Sequence, residues 1–406
     1  MTAFNLPEKV QKLTVCIDDK ELGVLTHDAI HDYKQTQNEF NLSLTMTEKG
    51  MDDSYRSGAL HPIFAQNLPE GHNRRYIAQR LARYAKVNDM YLLALQGSDG
   101  IGMLSYQGDF KLPQVDSVSL NDILTYSHAQ PLFPQLLEKY YLRNTLSGMQ
   151  PKVSIPSVER TVHQKDLIVK SFDEEFELLT VNEYVCMQAA KYCGLAPPNT
   201  YLSDNLETFV IERFDRGESG TQLLGYEDFT TLMKRSSDPD EKYRGSYETL
   251  LKATYLYTNN MLEVEKMYKY IVFSCLIGNG DAHLKNFALQ YTPDMSNIFV
   301  SPPFDITHTL IYPTINNKMA LNICKSKEFP DCDHLIKLAN QGHIVIRNAQ
   351  EIVESLAQGV IEYVSRSQEV LLLSGLKESI LAGVDKVMTA TYNSKSYRHD
   401  KKKKFE

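Results

Sequence analysis

Gly278-Asn-Gly-Asp281-Ala-His-Leu-Lys-Asn286-Phe287 is the stretch on which the reading of the fold turns. It follows Val264–Leu276, where Val264, Met267, Tyr268, Ile271, Val272 and Cys275 are spaced as on a helix buried on more than one side. Gly278-Asn-Gly280 ends that helix. An aspartate and an asparagine then stand five positions apart, the D-x-x-x-x-N spacing of a phosphoryl-transfer loop. Such spacing lets the carboxylate face an incoming hydroxyl while the amide oxygen faces a metal ion. Taken alone, a polar turn after a helix is the commoner cause of this pattern.

A second element changes that balance. Val300-Ser-Pro-Pro-Phe-Asp305-Ile306 places an acidic residue between apolar neighbours, after a hairpin-like pair at Phe287–Tyr291 and Ile298–Val300. Magnesium favours one or two carboxylates completed by phosphate oxygens and water, and Asp305 with Asn286 supplies that kind of incomplete cage. The competing role for Asp305 is a turn residue after two prolines. Upstream, Lys170 lies within the apolar strand Leu167-Ile-Val-Lys-Ser-Phe172, where a buried ammonium is costly without a partner such as a phosphate. The alternative is a lysine on the exposed face of an edge strand.

Before that strand, Arg143-Asn-Thr145-Leu-Ser147-Gly148-Met149-Gln150-Pro-Lys152 is a loop with backbone amides, two hydroxyls and a lysine, able to cradle phosphates although it fits neither G-x-G-x-x-G nor the Walker pattern. Strand signals continue at Lys165–Phe172, Asn199–Leu202 and Thr208–Phe214, the last two joined as a hairpin. Between them Thr180-Val-Asn-Glu183 reads as a capping box opening a helix that Gly194 stops. Glu183 has two readings, cap or partner of Lys170. The first hundred residues mix short β-like runs, Leu13–Ile17 and Tyr91–Leu95, with a helical stretch, Arg74–Ala85. Helical periodicity returns at Ile344–Val364 and Val370–Met388.

These signals predict an α+β chain in three parts: a small N-terminal α+β domain over 1–110, a β-rich lobe over 111–225 and a helical lobe over 226–406. With 406 residues and 42% hydrophobic content the chain can bury a large core, and its net charge of −8 argues against a protein devoted to neutralising nucleic-acid phosphates. Its six cysteines show neither C-x-x-C pairs nor zinc-ligand spacing. No apolar run approaches a membrane span and the start lacks the form of a signal peptide, so a cytoplasmic location is expected.

The order of loop, lysine strand, Asp-x4-Asn and metal aspartate resembles the HipA family of bacterial toxin kinases. The resemblance rests on Thr145–Lys152, Ile168-Val-Lys170, Glu212-Arg-Phe-Asp-Arg216, Gly280–Phe287 and Pro303-Phe-Asp305-Ile306, with Asn67-Leu-Pro-Glu-Gly71 and Gly97-Ser-Asp-Gly-Ile-Gly102 in the N-terminal part. It implies a two-lobed protein-kinase-like fold, ATP and Mg2+ as cofactors, and a serine/threonine protein kinase. The implied substrate is a cellular protein, in this family an aminoacyl-tRNA synthetase. The implied partner is a helix-turn-helix antitoxin that supplies most of the contact with operator DNA. Carried over by motif, Asp281 is the catalytic base and Asn286 and Asp305 hold the metal. Ser147, Gly148, Met149, Gln150, Lys152, Lys170 and His283 face the nucleotide, and the backbone of Glu212 and Phe214 holds the adenine. The self-phosphorylated hydroxyl is that of Thr145 or Ser147. A small-molecule kinase of the same fold and a non-catalytic co-repressor module stay open as alternatives.

Overall fold

The structure, a computed structural model, describes residues 7–37, 39–46, 54–110, 118–128, 130–132, 135–136, 152–158, 164–171, 174–217, 223–235 and 238–403. In chain order the elements are β1 (Lys12–Ile17), β2 (Lys20–Asp28), β3 (Ile30–Gln35), β4 (Ser54–Ser57), α1 (Pro62–Ala65), α2 (Gly71–Leu81), α3 (Asp89–Gln96), β5 (Leu104–Gln107) and α4 (Leu120–Leu124). There follow β6 (Lys152–Val158), β7 (Gln164–Ser171), α5 (Leu179–Tyr192), β8 (Thr200–Leu202), β9 (Thr208–Glu212), β10 (Gly225–Asp228), α6 (Phe229–Leu232), α7 (Tyr247–Thr258) and α8 (Met261–Leu276). The chain continues through β11 (Ala288–Tyr291), β12 (Ile298–Val300), α9 (Cys332–Leu338), β13 (Asn340–Gln341), β14 (Ile344–Val345), α10 (Ala349–Arg366) and α11 (Leu376–Lys403). They fall into two compact units, one of residues 1–180, 199–241 and 288–299, the other of 181–198, 242–287 and 300–406.

The first unit holds a five-stranded sheet in the order β4-β3-β2-β1-β5 and a four-stranded sheet in the order β6-β7-β9-β8. In the second sheet every pairing is antiparallel, and Leu167, Val169 and Val210 share a buried cluster with Ile123 of α4. Period-two alternation turns Ile168 and Lys170 to the other face, where Lys170 stands opposite Phe209. β7 is an inner strand, which removes the edge-strand reading of Lys170.

A buried ion pair ties two sequence motifs of this unit together. The Arg213 guanidinium makes a two-pronged contact with Asp215, through Nε at 3.0 Å to Oδ1 and through Nη2 to Oδ2. It also donates to the carbonyls of Asp99 (3.0 Å) and Gly100 (2.6 Å), while the Gly102 N–H donates to Asp215 Oδ2 at 2.7 Å. Burial pushes the Asp215 carboxyl up, but Arg213 and the Gly102 amide outweigh it and hold the group below its ordinary value. Thus Gly97–Gly102 and Glu212–Arg216 form one hydrogen-bonded structure. Gln66 donates to the Tyr226 carbonyl and accepts from the Asp228 N–H, joining the residue before the Asn67–Gly71 motif to β10.

The second unit is built on α8, whose Val264, Met267, Tyr268, Ile271, Val272 and Cys275 are all buried, as its spacing predicts. Three expectations change. Tyr91–Leu95 is helical, inside α3, not a strand; every residue from Met90 to Gln96 is buried, so an apolar run carried no period to distinguish the two. The decisive signals flank it: Asn88 caps the start by accepting from the Tyr91 N–H, and Gly97 ends it. The capping box at Thr180 does not form, because α5 already begins at Leu179 and the Thr180 hydroxyl donates to the Leu206 carbonyl. The stretch Ile344–Val364 opens with the short strand β14 before α10, and Val370–Met388 is broken at Gly375, where φ is +81°.

Candidate active site

The predicted site residues are divided between the two units. In the first, Lys170 is 4% exposed, and its ammonium lies 5.7 Å from the centre of the Phe209 ring, a cation–π contact. Lys152 on β6 is the strand partner of Lys170. At the end of β9 the Glu212 N–H donates to the Asn199 carbonyl, and its carboxylate accepts from Asn199 Nδ2 (3.0 Å) and the Tyr201 hydroxyl (2.8 Å). The Phe214 carbonyl accepts from Gln290 Nε2 at 2.8 Å. Thr145, Ser147, Gly148, Met149 and Gln150 lie outside the described residues.

In the second unit the loop after α8 is held from several sides. The Thr309 N–H donates to the Gly278 carbonyl at 3.0 Å, and the Gly280 N–H donates to Thr309 Oγ1 at 2.8 Å. Both glycines are required. A Cβ on Gly278, at φ +77°, would lie 2.6 Å from His308 Nδ1, and one on Gly280 would lie 2.7 Å from the Lys318 carbonyl. His308 fixes this turn: its Nδ1 donates to the Ile277 carbonyl (2.7 Å), so its Nε2 accepts from the Ser379 hydroxyl (2.6 Å). Asn182 of α5 closes the frame, accepting from the His308 N–H and donating to its carbonyl.

On this frame the loop presents its polar groups. The Asp281 side chain is 52% exposed and its Oδ1 accepts from the Tyr243 hydroxyl at 3.1 Å. The Asn279 side chain accepts from the Asp281 N–H at 3.1 Å, and the Tyr247 hydroxyl donates to the Ala282 carbonyl at 2.9 Å. Asn286 Nδ2 donates to the Asp281 carbonyl at 3.0 Å, which commits its nitrogen and turns its Oδ1 to another role. Tyr270 connects this loop to the segment before Asp305: its hydroxyl lies 3.0 Å from the Asn286 carbonyl and 2.7 Å from that of Phe304, and it accepts from the Phe304 N–H at 3.1 Å. Asp305 itself has φ +58°, a left-handed conformation uncommon for residues other than glycine, asparagine and aspartate and concentrated at functional sites. Asp281 and Asn286 are thus joined by a hydrogen bond, and Tyr270 ties their loop to the residue directly before Asp305.

His283 is buried beside this group, its Nε2 4.0 Å from Asp281 Oδ2 and its ring edge-on to Tyr243. Burial, with Lys242 adding to it, pushes its pKa down to about 3, so the ring is neutral and the contact is not an ion pair. Its buried Nδ1 has no hydrogen-bond partner among the described residues. His308 is likewise held down at about 4 by burial, and so is His61 in the first unit. An unfolded histidine titrates near pH 6.5, so between there and roughly pH 4 the unfolded chain binds more protons than the folded one. Stability therefore falls on acidification, by at most about 1.4 kcal/mol per pH unit for each such histidine. Glu227, buried and raised to about 7, contributes with the opposite sign, since its extra proton is held in the folded state. Three histidines against one glutamate give a net loss, so urea midpoints should drop steadily from pH 6.5 to 5; a flat profile would contradict the neutral, buried assignment.

Among the described residues no group of three or more His, Cys, Asp or Glu side chains could hold a metal ion alone. Asn286 and Asp305 offer oxygen donors only, and a cation held by two such residues needs further oxygens from a phosphate-bearing ligand or water. That donor set suits Mg2+ and does not suit zinc.

Comparison with known proteins gives a consistent answer. Residues 144–364 match the HipA-like C-terminal domain and residues 13–107 the HipA N-terminal domain. A Sinorhizobium fredii protein named "Putative kinase Y4dM" is 27% identical over 379 residues, covering 86% of this chain and 88% of that protein. The Shewanella oneidensis serine/threonine-protein kinase toxin HipA is 22% identical over 400 residues, covering 88% and 90%. The solved structure of the S. oneidensis MR-1 HipA, HipB and operator DNA complex contains a chain that superposes with a TM-score of 0.69 at 19% identity, covering 92% of this chain and 97% of that one. Both HipA domains occur here in order, together spanning most of the sequence, and this chain belongs to the HipA family, with the protein-kinase-like α+β fold of that family.

Proposed function

We propose that this protein is an ATP- and magnesium-dependent serine/threonine kinase acting on another protein. The observation that carries the reading is the joint anchoring of Asp281, Asn286 and the residue directly before Asp305 through Asn279, Tyr243 and Tyr270. In this reading Asp281 accepts the proton of the attacking hydroxyl as its oxygen forms a bond to the γ-phosphorus and the bond to the β–γ bridging oxygen breaks. Asn286 and Asp305 hold Mg2+, which when bound neutralises charge on the phosphate oxygens. Lys170, with Lys152, supplies fixed positive charge to the phosphates. The backbone of Glu212 and Phe214 holds the adenine, and His283 offers a buried ring nitrogen to the nucleotide. The three-part division at residues 110 and 225 belongs to the same reading.

The finer proposals follow the family. The substrate is a cellular protein, of which an aminoacyl-tRNA synthetase is the first to test, and its modification would arrest translation and growth. A helix-turn-helix antitoxin, as HipB accompanies the S. oneidensis protein, is the proposed partner, with operator DNA reached mainly through it, and the proposed location is cytoplasmic. No helix among the described residues is long and apolar enough to cross a membrane.

The loop hydroxyl of Thr145 or Ser147 is the proposed site of self-phosphorylation. A phosphate there adds about −1.5 to −2 charges where ATP phosphates are to be received, which opposes nucleotide binding. Mass spectrometry of protein made in cells should find phosphate on one of these residues in the wild type and on neither in Asp281→Asn. Phosphate on neither in active wild-type enzyme, or equally on both proteins, would remove self-control through this loop.

A further inference from the structure

Tyr270 lies on α8, 4% exposed, with its ring 4.7 Å from that of Phe287. Its hydroxyl reaches two segments that the sequence separates from it by 16 and 34 residues, the Asn286 carbonyl and both backbone groups of Phe304. A phenol has one proton to give and lone pairs to accept with. It therefore takes the Phe304 N–H and shares its proton between the two carbonyls. These bonds fix the backbone of Asn286 and of the residue directly before Asp305.

We infer that Tyr270 is a positioning residue that sets the spacing between Asn286 and Asp305 and thereby the grip of the chain on a magnesium-bound nucleotide. This rests on the metal assignment proposed above. Partners that hydrogen-bond ligating side chains directly change metal affinity by about 10- to 100-fold when lost, and Tyr270, acting one step further out through backbone atoms, is expected at the low end of that range. Replacement by phenylalanine keeps the ring and leaves the Phe304 N–H and two carbonyls to share fewer partners.

The test is titration of the full-length protein with ATP, once with excess Mg2+ and once with EDTA, in the wild type, Tyr270→Phe, Asp305→Asn and Tyr268→Phe. Tyr268 sits on the same helix, and its hydroxyl donates to the Leu335 carbonyl at 3.0 Å, so Tyr268→Phe controls for loss of a buried hydroxyl. Magnesium should tighten ATP binding to the wild type and to Tyr268→Phe alike. The gain should fall about tenfold in Tyr270→Phe, at the low end for such partners, with affinity in EDTA unchanged. Asp305→Asn should lose the gain. A wild-type gain retained in Tyr270→Phe, or an equal loss in Tyr268→Phe, overturns the positioning role alone. Absence of any magnesium gain in the wild type overturns the positioning role together with the metal assignment. Absence of phosphoryl transfer, measured separately, would count against the proposed activity without altering the titration result.

Discussion

Replacing Asp281 by asparagine should slow phosphoryl transfer by about 10²- to 10⁴-fold, the contribution of a positioned general base, while leaving ATP affinity and the melting temperature close to those of the wild type. The carboxylate is half exposed, so its removal exposes no core and strands no buried charge. Asparagine can still accept from the Tyr243 hydroxyl, and the Asn279 and Asn286 contacts involve only the backbone of residue 281. What disappears is proton affinity at the atom that would meet the substrate hydroxyl. The neighbouring His283 is a poor substitute, since burial holds it near 3 and makes it a far weaker base than an ordinary histidine. A transfer assay and a thermal melt on the same preparation decide the matter. Near-normal transfer would mean that Asp281 is not the base.

Arg213→Ala should cost about 3–5 kcal/mol of stability, the usual penalty for removing one partner of a buried ion pair. The substitution leaves Asp215 buried with the Gly102 amide still donating to it, and it removes the bonds that Arg213 gives to the Asp99 and Gly100 carbonyls. It also reduces the link between the segment that begins at Glu212 and Gly97–Gly102 to the Gly102–Asp215 bond. Urea unfolding should show the loss directly, and the double replacement Arg213→Met with Asp215→Leu should recover part of it by removing both charges. A loss below about 1 kcal/mol in Arg213→Ala would place the pair among ordinary surface ion pairs and contradict its buried position.

The parts legible in sequence were those whose chemistry is local. Asp281 and Asn286 share one short loop, Gly278 and Gly280 mark its turn, and Lys170 interrupts an apolar strand. Asp305 was legible through its order after a short hairpin. The buried helix α8 could be read from spacing because its length exceeds what a strand would use. Tyr91–Leu95 could not, since burial on every side erases periodicity. Thr180 misled for a different reason: its hydroxyl finds a partner 26 residues away at Leu206, and a local capping pattern says nothing about that. The partners of Tyr270 and Arg213 carry no local mark. A tyrosine within an apolar helix reads as core, and Arg213, at the end of a predicted strand and within the Glu212–Arg216 motif, shows nothing local that points to the carbonyls it binds. Their roles arise from carbonyls brought to them by the fold, 34 and 113 residues distant for Phe304 and Gly100.

Asp281-dependent transfer of a phosphoryl group from ATP to a protein hydroxyl is the activity proposed for this chain. Its most direct test is incubation of the wild type and Asp281→Asn with γ-labelled ATP and whole-cell lysate, with and without Mg2+, followed by separation of proteins from small molecules and phosphoamino-acid analysis. Discrete labelled protein bands containing phosphoserine or phosphothreonine should form with the wild type in the presence of Mg2+ and be absent from the other three conditions. Label confined to small molecules, no transfer beyond background, or equal labelling by Asp281→Asn would contradict it.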